Sequence, residues 1–224
     1  MPIMADITLG NRRAASKGFT LVELLVVIAI IGILASLLTP VLMKARQEGF
    51  KTDSKNNLRN IVNAAQMYAD ERRFYPWSRP IVPGGQQPEL TEDADARACI
   101  ELLYKYNYVD DPKVFISRAS PDEAAEAIDS EQERRTSFRL EDHQCSYTWR
   151  KRITTVNDDS RTPISGDKRG GDMPITNHKD GRHAAFKGGN VVFFDNEKLE
   201  DQANKETKRS RAELIGWDRI GRGN

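Results

Sequence analysis

The sequence predicts an α+β fold in which one long N-terminal α-helix packs on a small antiparallel β-sheet. Residues 19–43 form an almost unbroken apolar run, and the polar stretch after it keeps a helical period to about residue 72. Segments with strand character come late, between residues 145 and 199. A helix followed by a group of strands is typical of α+β domains, in which the two kinds of element form separate layers.

The apolar run is long enough to cross a lipid bilayer. As a helix, residues 19–43 would span about 37 Å, against about 30 Å of hydrocarbon in a bilayer. Three basic residues and one acidic residue lie in the preceding residues 1–18. The positive-inside tendency therefore predicts a cytoplasmic N-terminus, with the C-terminal bulk of the chain across the membrane.

Glu23 lies inside the apolar run, where an ionised carboxylate is costly unless it is paired. A secretory signal peptide is cut after its apolar region, whereas here a plausible cut follows Gly18, before that region. Cleavage there would create an α-amino group on Phe19, one helical turn from Glu23. Between neighbouring subunits this amine and the Glu23 carboxylate would neutralise each other and set the register of a helix stack.

Residues 17–35 resemble the class III signal of type IV pilins and of type II secretion pseudopilins. The shared features are Gly18 at the cut, Phe19 as the first mature residue, Glu23 as the fifth, and Pro40 just past the apolar core. The resemblance implies cleavage by a prepilin peptidase and N-methylation of Phe19. It also implies that an inner-membrane assembly platform extracts the subunit into a filament, where it contacts other pseudopilins.

Three regions follow from these patterns. Residues 1–18 are predicted to be a cleaved cytoplasmic leader. Residues 19–72 are predicted to form one helix, embedded in the membrane or the filament core in its first half. Residues 73–224 are predicted to form a periplasmic or extracellular globular domain, so that the whole resembles the αβ-roll of pilins. Pro40 is expected to kink or loosen the helix, because proline lacks a backbone donor.

Short elements are predicted between the long helix and the sheet. Residues 74–91 are rich in proline and glycine and indicate a loop. A helix is expected from about residue 93 to about residue 106, and residues 114–116 suggest a short strand. The charged residues 121–135 suit either a surface helix or a mobile insertion.

The sheet is predicted from alternating or β-branched segments bounded by turn residues. Candidate strands cover residues 145–153, 162–165 and 190–194, and the last of these is the strongest because glycines precede it and Asp-Asn follows it. A turn at Asn196 would lead into a final strand from residue 197.

Residues 177–195 resemble the C-terminal His…Asp-Gly signature of a large group of pilin-like proteins. Asn196 stands where that signature has glycine, and the spacing from His183 to Asp195 is longer than in the signature. Either His178 or His183 could be the signature histidine. Only the topology is therefore carried over from this resemblance, without a role for a single residue.

Asp167, Asp172 and Asp195 are candidate calcium ligands, because calcium takes six to eight oxygen ligands and these aspartates are expected in loops. Their spacing matches no defined calcium loop, so solvated turns remain an alternative. No other cofactor is expected. Cys99 and Cys145 lack the spacing of a zinc site, and the sequence leaves open whether they pair.

The predicted function is that of a structural subunit without enzymatic activity in a type IV pilus-like filament, assembled through its N-terminal helix; the resemblance favours a type II secretion pseudopilin. The sequence contains no metalloprotease, nucleophile-elbow or phosphate-loop motif. The formal net charge is +1, and nucleic-acid binding, which needs a basic surface, is not expected. The alternative is a membrane-anchored periplasmic binding module that does not polymerise. A third interpretation, an anchored hydrolase, would depend on His183.

Overall fold

The computed structural model describes residues 19–76, 96–150, 159–168, 177–178 and 180–195. The chain divides into two compact units between Ala45 and Arg46. The first contributes the apolar part of the long N-terminal helix. The second contains the rest of that helix and all the other elements.

Helix α1 runs from Leu21 to Arg72 and comprises 52 residues. The helix continues through Pro40, although proline cannot donate a hydrogen bond to the preceding turn. In the first unit, every large apolar side chain from Phe19 to Met43 is exposed. None of the described residues buries these side chains in the single chain.

The C-terminal part of α1 buries one face in the second unit. Its buried residues recur every three or four positions, as expected when one stripe of a helix faces a core. They are Ser54, Leu58, Ile61, Val62, Ala64, Ala65, Tyr68 and Ala69. Tyr68 is fully buried and packs edge-on against the rings of Phe74 and Tyr108. These contacts join the helix to one hydrophobic core that also contains Trp149 of the sheet.

The elements between α1 and the sheet differ in part from prediction. Helix α2, Ala96–Lys105, lies within the predicted helix. The strand predicted at residues 114–116 is wrong. A 3-10 helix, Pro112–Phe115, occupies most of that segment, because Asp111 accepts a hydrogen bond from the Lys113 N–H and Pro112 is set for a helical first turn.

Helix α3 spans Glu131–Ser137, at the end of the segment for which a surface helix was one of two alternatives. It begins ten residues later than a helix started at Pro121 would, because Ser130 caps it by accepting a hydrogen bond from the Glu133 N–H. A second 3-10 helix, Asp142–Gln144, leads into the sheet.

The sheet contains four antiparallel strands in the order β1-β2-β3-β4. They are β1 at Tyr147–Trp149, β2 at Pro163–Asp167, β3 at Gly181–Phe186 and β4 at Val191–Asp195. Strands β1, β2 and β4 overlap the three internal strands predicted from the sequence. Together with α1 they confirm the predicted α+β fold class.

Strand β3 has no counterpart among the predicted strands. Its sequence is Gly-Arg-His-Ala-Ala-Phe, which lacks the β-branched residues that mark strands. Tertiary pairing creates this strand, because its backbone pairs with β2 on one side and with β4 on the other. Between β3 and β4 the Phe186 carbonyl accepts from the Gly189 N–H, and Gly189 has a φ of 82°, which favours glycine.

Several predictions concern residues outside the described part of the chain. These are the leader, the cut site at Gly18, most of the loop at 74–91, Asp172, and the final strand from residue 197.

Candidate functional sites

Thr20 and Glu23 form a reciprocal cap at the start of α1. The Thr20 backbone N–H and hydroxyl donate to Glu23 Oε2 at 2.9 and 2.8 Å. In return, the Glu23 N–H donates to Thr20 Oγ1 at 3.2 Å. This arrangement is a capping box, with Thr20 as N-cap and Glu23 three residues later. The local role of Glu23 is therefore to close the first helical turn.

The cap leaves the negative charge of Glu23 in place, since Thr20 is neutral. The Glu23 side chain is exposed in the single chain, and so is Phe19, whose side chain is 74% exposed. A charged group from another molecule can therefore reach the carboxylate. The structure places Phe19 and Glu23 at the same end of α1, as the sequence predicted.

The apolar part of α1 presents hydrocarbon on all sides. Exposure of its large side chains ranges from 46% at Val27 to 78% at Leu21. Its hydroxyls are satisfied within the helix, because Ser36 donates to the Ile33 carbonyl and Thr39 to the Ala35 carbonyl, each at 2.7 Å. By length and composition α1 can cross a membrane. Such a surface requires lipid or other helices around it.

A second candidate site is a buried cluster on the sheet formed by Asp167, His178 and His183. Asp167 ends β2, His183 lies in β3, and His178 makes an isolated bridge with Gly181. One donor atom from each residue lies within 4.8 Å of the other two. His183 Nδ1 is 2.9 Å and His178 Nε2 is 3.8 Å from Asp167 Oδ2.

Hydrogen bonds and one aromatic ring hold this cluster in place. Asp167 Oδ2 accepts from the backbone N–H of His183 at 2.6 Å, and Oδ1 accepts from Asn177 Nδ2 at 3.0 Å. The Phe193 ring lies edge-on to both imidazoles, with centroids 5.9 Å from His178 and 4.9 Å from His183. The side chains of the cluster are at most 3% exposed, so bulk water is excluded.

Burial lowers the pKa of His178, an effect that the Asp167 carboxylate opposes and that His183 reinforces. The neutral form of the His178 imidazole is therefore favoured. Smaller effects come from Asp180, which raises the pKa of His178, and from Lys51 of α1, which lowers it; these two residues form an ion pair with each other. The Lys51 ammonium also lies 4.8 Å from the Phe193 centroid.

Of the predicted calcium ligands, the structure describes Asp167 and Asp195. Asp167 is grouped with two imidazoles and Asp195 does not belong to that group. Asp195 pairs with Gly181 on the β4 side of β3, whereas Asp167 lies on the β2 side. The neighbours of Asp167 are nitrogen groups, while calcium takes oxygen ligands.

Sequence reasoning missed two of these relationships. The Thr20–Glu23 cap has a readable signal, because Thr-x-x-Glu directly before an apolar run is the pattern of a capping box. Asp167 was predicted as a calcium candidate and His178 and His183 as candidate signature histidines, rather than as one cluster, because which aspartate meets the histidines depends on the pairing of β2 with β3. Because β3 was not predicted, that pairing could not be predicted either.

Comparison with known proteins supports the N-terminal assignment. The family model for the prokaryotic N-terminal methylation motif matches residues 13–39. Type II secretion system core protein G of Escherichia coli is 42% identical over 60 residues, which is 27% of this chain and 41% of that protein. Type IV major pilin protein PilA of Myxococcus xanthus is 37% identical over 60 residues, 27% of each chain.

A third relative is the type IV wide pilus major component PilA4 of Thermus thermophilus, 45% identical over 60 residues, which is 27% of this chain and 46% of that protein. The alignments thus span less than half the length of these relatives. No solved structure matches the chain. By its methylation motif and these similarities, the N-terminal part of the chain is a prepilin-type segment of the kind found in type IV pilins and type II secretion pseudopilins.

Proposed function

We propose that the chain is a non-enzymatic subunit of a type IV pilus-like filament, specifically a type II secretion pseudopilin. One observation carries this proposal. The methylation motif at residues 13–39 overlaps the apolar part of α1, where every large apolar side chain from Phe19 to Met43 is exposed. That surface suits two successive environments, the membrane before assembly and a bundle of identical helices afterwards.

Processing precedes assembly in this proposal. A prepilin peptidase cuts between Gly18 and Phe19 on the cytoplasmic side, and the new N-terminus of Phe19 is methylated. Until assembly, the subunit is anchored in the inner membrane with the globular domain, residues 73–224, in the periplasm. The inner-membrane platform then moves it into the filament. The three basic residues before the helix support this orientation.

Glu23 sets the register of assembly. Its carboxylate would pair with the α-amino group of Phe19 in a neighbouring subunit. Because the cap from Thr20 leaves the charge intact, the carboxylate is oriented by one residue of its own chain and still attracts an amine from another. The pair would be worth most in the filament core, where water is excluded.

The first experiment determines the mature N-terminus. Filaments are sheared from cells, or membranes are extracted, and the subunit is examined by N-terminal sequencing and intact mass. We expect a chain that begins at Phe19 and carries one added methyl group. A chain that still begins at Met1, or one cut beyond Ala35, would contradict the proposal.

Two variants separate the charge of Glu23 from its capping role. Glu23→Gln keeps an oxygen that can accept from Thr20 but removes the charge, since glutamine also completes a capping box. Thr20→Val removes the two hydroxyl bonds of the cap, leaves the backbone N–H of residue 20, and keeps the charge. If charge sets the register, Glu23→Gln is processed but does not assemble, whereas Thr20→Val assembles. Normal filaments from Glu23→Gln would refute the register argument.

The alternative is a membrane-anchored periplasmic binding module that never polymerises. Cross-linking in intact cells distinguishes the two, because a filament subunit gives a ladder of oligomers and an isolated anchor gives a monomer. Deletion of the gene distinguishes secretion from piliation. For a pseudopilin we expect secreted proteins to remain in the periplasm, whereas loss of surface pili with normal secretion would assign the chain to a pilus.

A further inference from the structure

The buried cluster on the sheet has the donor set of a transition-metal site. Two imidazole nitrogens and one carboxylate oxygen are the ligands that zinc accepts, whereas calcium and magnesium prefer oxygen alone. Asp167, His178 and His183 supply these ligands from three separate places in the chain. The filament proposed above has no need of such a cluster.

The distances within the cluster suit one ion. Zinc bonds of about 2.0–2.1 Å with tetrahedral angles place neighbouring ligand atoms about 3.3 Å apart. The distances from Asp167 Oδ2 to His183 Nδ1 and to His178 Nε2 are 2.9 and 3.8 Å, one on each side of that value. The three donor atoms lie within 4.8 Å of one another, so side-chain rotations that bring them closer together would complete three coordination bonds.

The surroundings fix the ligands as they do in metal sites. The Asp167 carboxylate is held by the His183 N–H and by the Asn177 amide, so one oxygen is oriented toward the imidazoles. The Phe193 ring limits the rotation of both histidines. Hydrogen bonds of this kind to the ligands orient them and strengthen metal binding.

Charge balance favours a cation at this position. The Asp167 side chain is fully buried, and an ionised carboxylate in such a place needs compensation. Lys51 of the helix layer is engaged by Asp180 at the exposed edge. A divalent ion between Asp167 and the two imidazoles would place positive charge against this buried carboxylate.

We propose that Asp167, His178 and His183 bind a divalent transition-metal ion, best matched by Zn²⁺, that staples β2, β3 and the segment before β3. A three-ligand set leaves one position of a tetrahedral ion for water or another donor. The ion would join residues that strand pairing alone holds together, and so would stiffen the globular domain.

The test uses the full-length chain in detergent micelles, without a polyhistidine tag and stripped with EDTA. Zn²⁺ is titrated by calorimetry, and Co²⁺ is used as a spectroscopic substitute whose absorption reports coordination by nitrogen and oxygen. We expect one saturable equivalent of Zn²⁺ and a rise in the thermal midpoint on binding. Absence of saturable binding in the wild-type chain would overturn the proposal without any variant.

Variants assign the ligands. His178→Gln should weaken Zn²⁺ binding at least about tenfold, since even loss of a group that only supports a ligand costs about 10–100-fold. His143→Gln is the matched control, because His143 is 59% exposed and lies outside the cluster. Circular dichroism without metal checks that each variant is folded. Equal losses in the two variants, or tighter binding of Ca²⁺ than of Zn²⁺, would refute the site.

Discussion

Thr20 and Glu23 satisfy each other's polar groups at the first turn of α1. Two donors of Thr20 bind one oxygen of Glu23, and the Glu23 N–H binds the Thr20 hydroxyl. A residue inside an apolar run thus has a local reason to be glutamate, besides any contact with another subunit. The two roles are compatible, because capping uses lone pairs of the carboxylate and leaves its charge unchanged.

Thr20→Val should loosen the first turn of α1. Loss of an N-cap hydrogen bond costs about 1 kcal/mol, which corresponds to roughly fivefold faster exchange of the Glu23 amide. Hydrogen exchange in micelles measures this rate. Thr20→Ser is the control, because serine keeps the hydroxyl and should exchange almost as the wild type does. Equal rates in the valine and serine variants would show that the cap does not protect this turn.

Gly181→Ala should destabilise the globular unit. A Cβ at this position would lie 2.2 Å from the Phe194 carbonyl oxygen and 2.7 Å from the Phe193 ring, so β4 must move. We expect a loss of about 1–3 kcal/mol in the free energy of unfolding, measured by urea titration in detergent. Gly49→Ala is the control, because no atom other than those of its chain neighbours and of the adjacent helix backbone lies within 4 Å of its added methyl group.

In the control, alanine should be neutral or stabilising by up to about 1 kcal/mol, since glycine weakens a helix interior. An unchanged urea midpoint for Gly181→Ala would mean that β4 can move away from residue 181 with little loss of stability. The close approach between Gly181 and β4 would then be unnecessary for stability.

The free energy of unfolding should fall as pH rises above about 10. Burial, followed by the nearby Asp167 carboxylate, raises the pKa of Tyr147 well above the unfolded value of 10.0. Above that pH the unfolded chain releases the phenolic proton while the folded chain keeps it, so the unfolded state binds fewer protons and gains stability. The limit for one group is about 1.4 kcal/mol per pH unit.

Urea titrations between pH 8 and 12 measure this effect, with tyrosinate absorbance recorded in parallel. Tyr147→Phe lacks the ionisable group and should show a shallower decline. In the wild type, the Tyr147 hydroxyl should lose its proton only when the chain unfolds. Identical slopes in the two proteins would place the alkaline sensitivity elsewhere.

Both cysteines should resist thiol reagents until the chain unfolds. Cys99 and Cys145 are buried and are not joined by a disulfide, and burial raises the pKa of Cys145 to about 11. At pH 8 only about one thiol in a thousand at Cys145 would be the reactive thiolate. With a chromogenic disulfide-exchange reagent, we expect almost no reactive thiol in the native chain. After denaturation we expect two reactive thiols per chain. No reactive thiol after denaturation would instead indicate a disulfide between them.

Much of the fold could be predicted because its signals are local. The long helix is marked by an apolar run and then by a buried stripe that includes Leu58, Ile61 and Tyr68. Strand β4 is marked by Val-Val-Phe-Phe between turn residues. In contrast, Val114 and Ile116 suggested a strand, but the cap from Asp111 and the fixed φ of Pro112 favoured a 3-10 helix.

The prepilin-type segment can be recognised from local sequence, because Gly18, Phe19 and Glu23 stand at fixed positions beside an apolar run and need no tertiary contact. The buried cluster, in contrast, depends on contacts between distant parts of the chain. Strand β3 has weak β-propensity, and only its pairing with β2 brings His183 to Asp167. Strand pairing joins residues far apart in sequence, and this register depends on the packing of the whole sheet rather than on any local pattern.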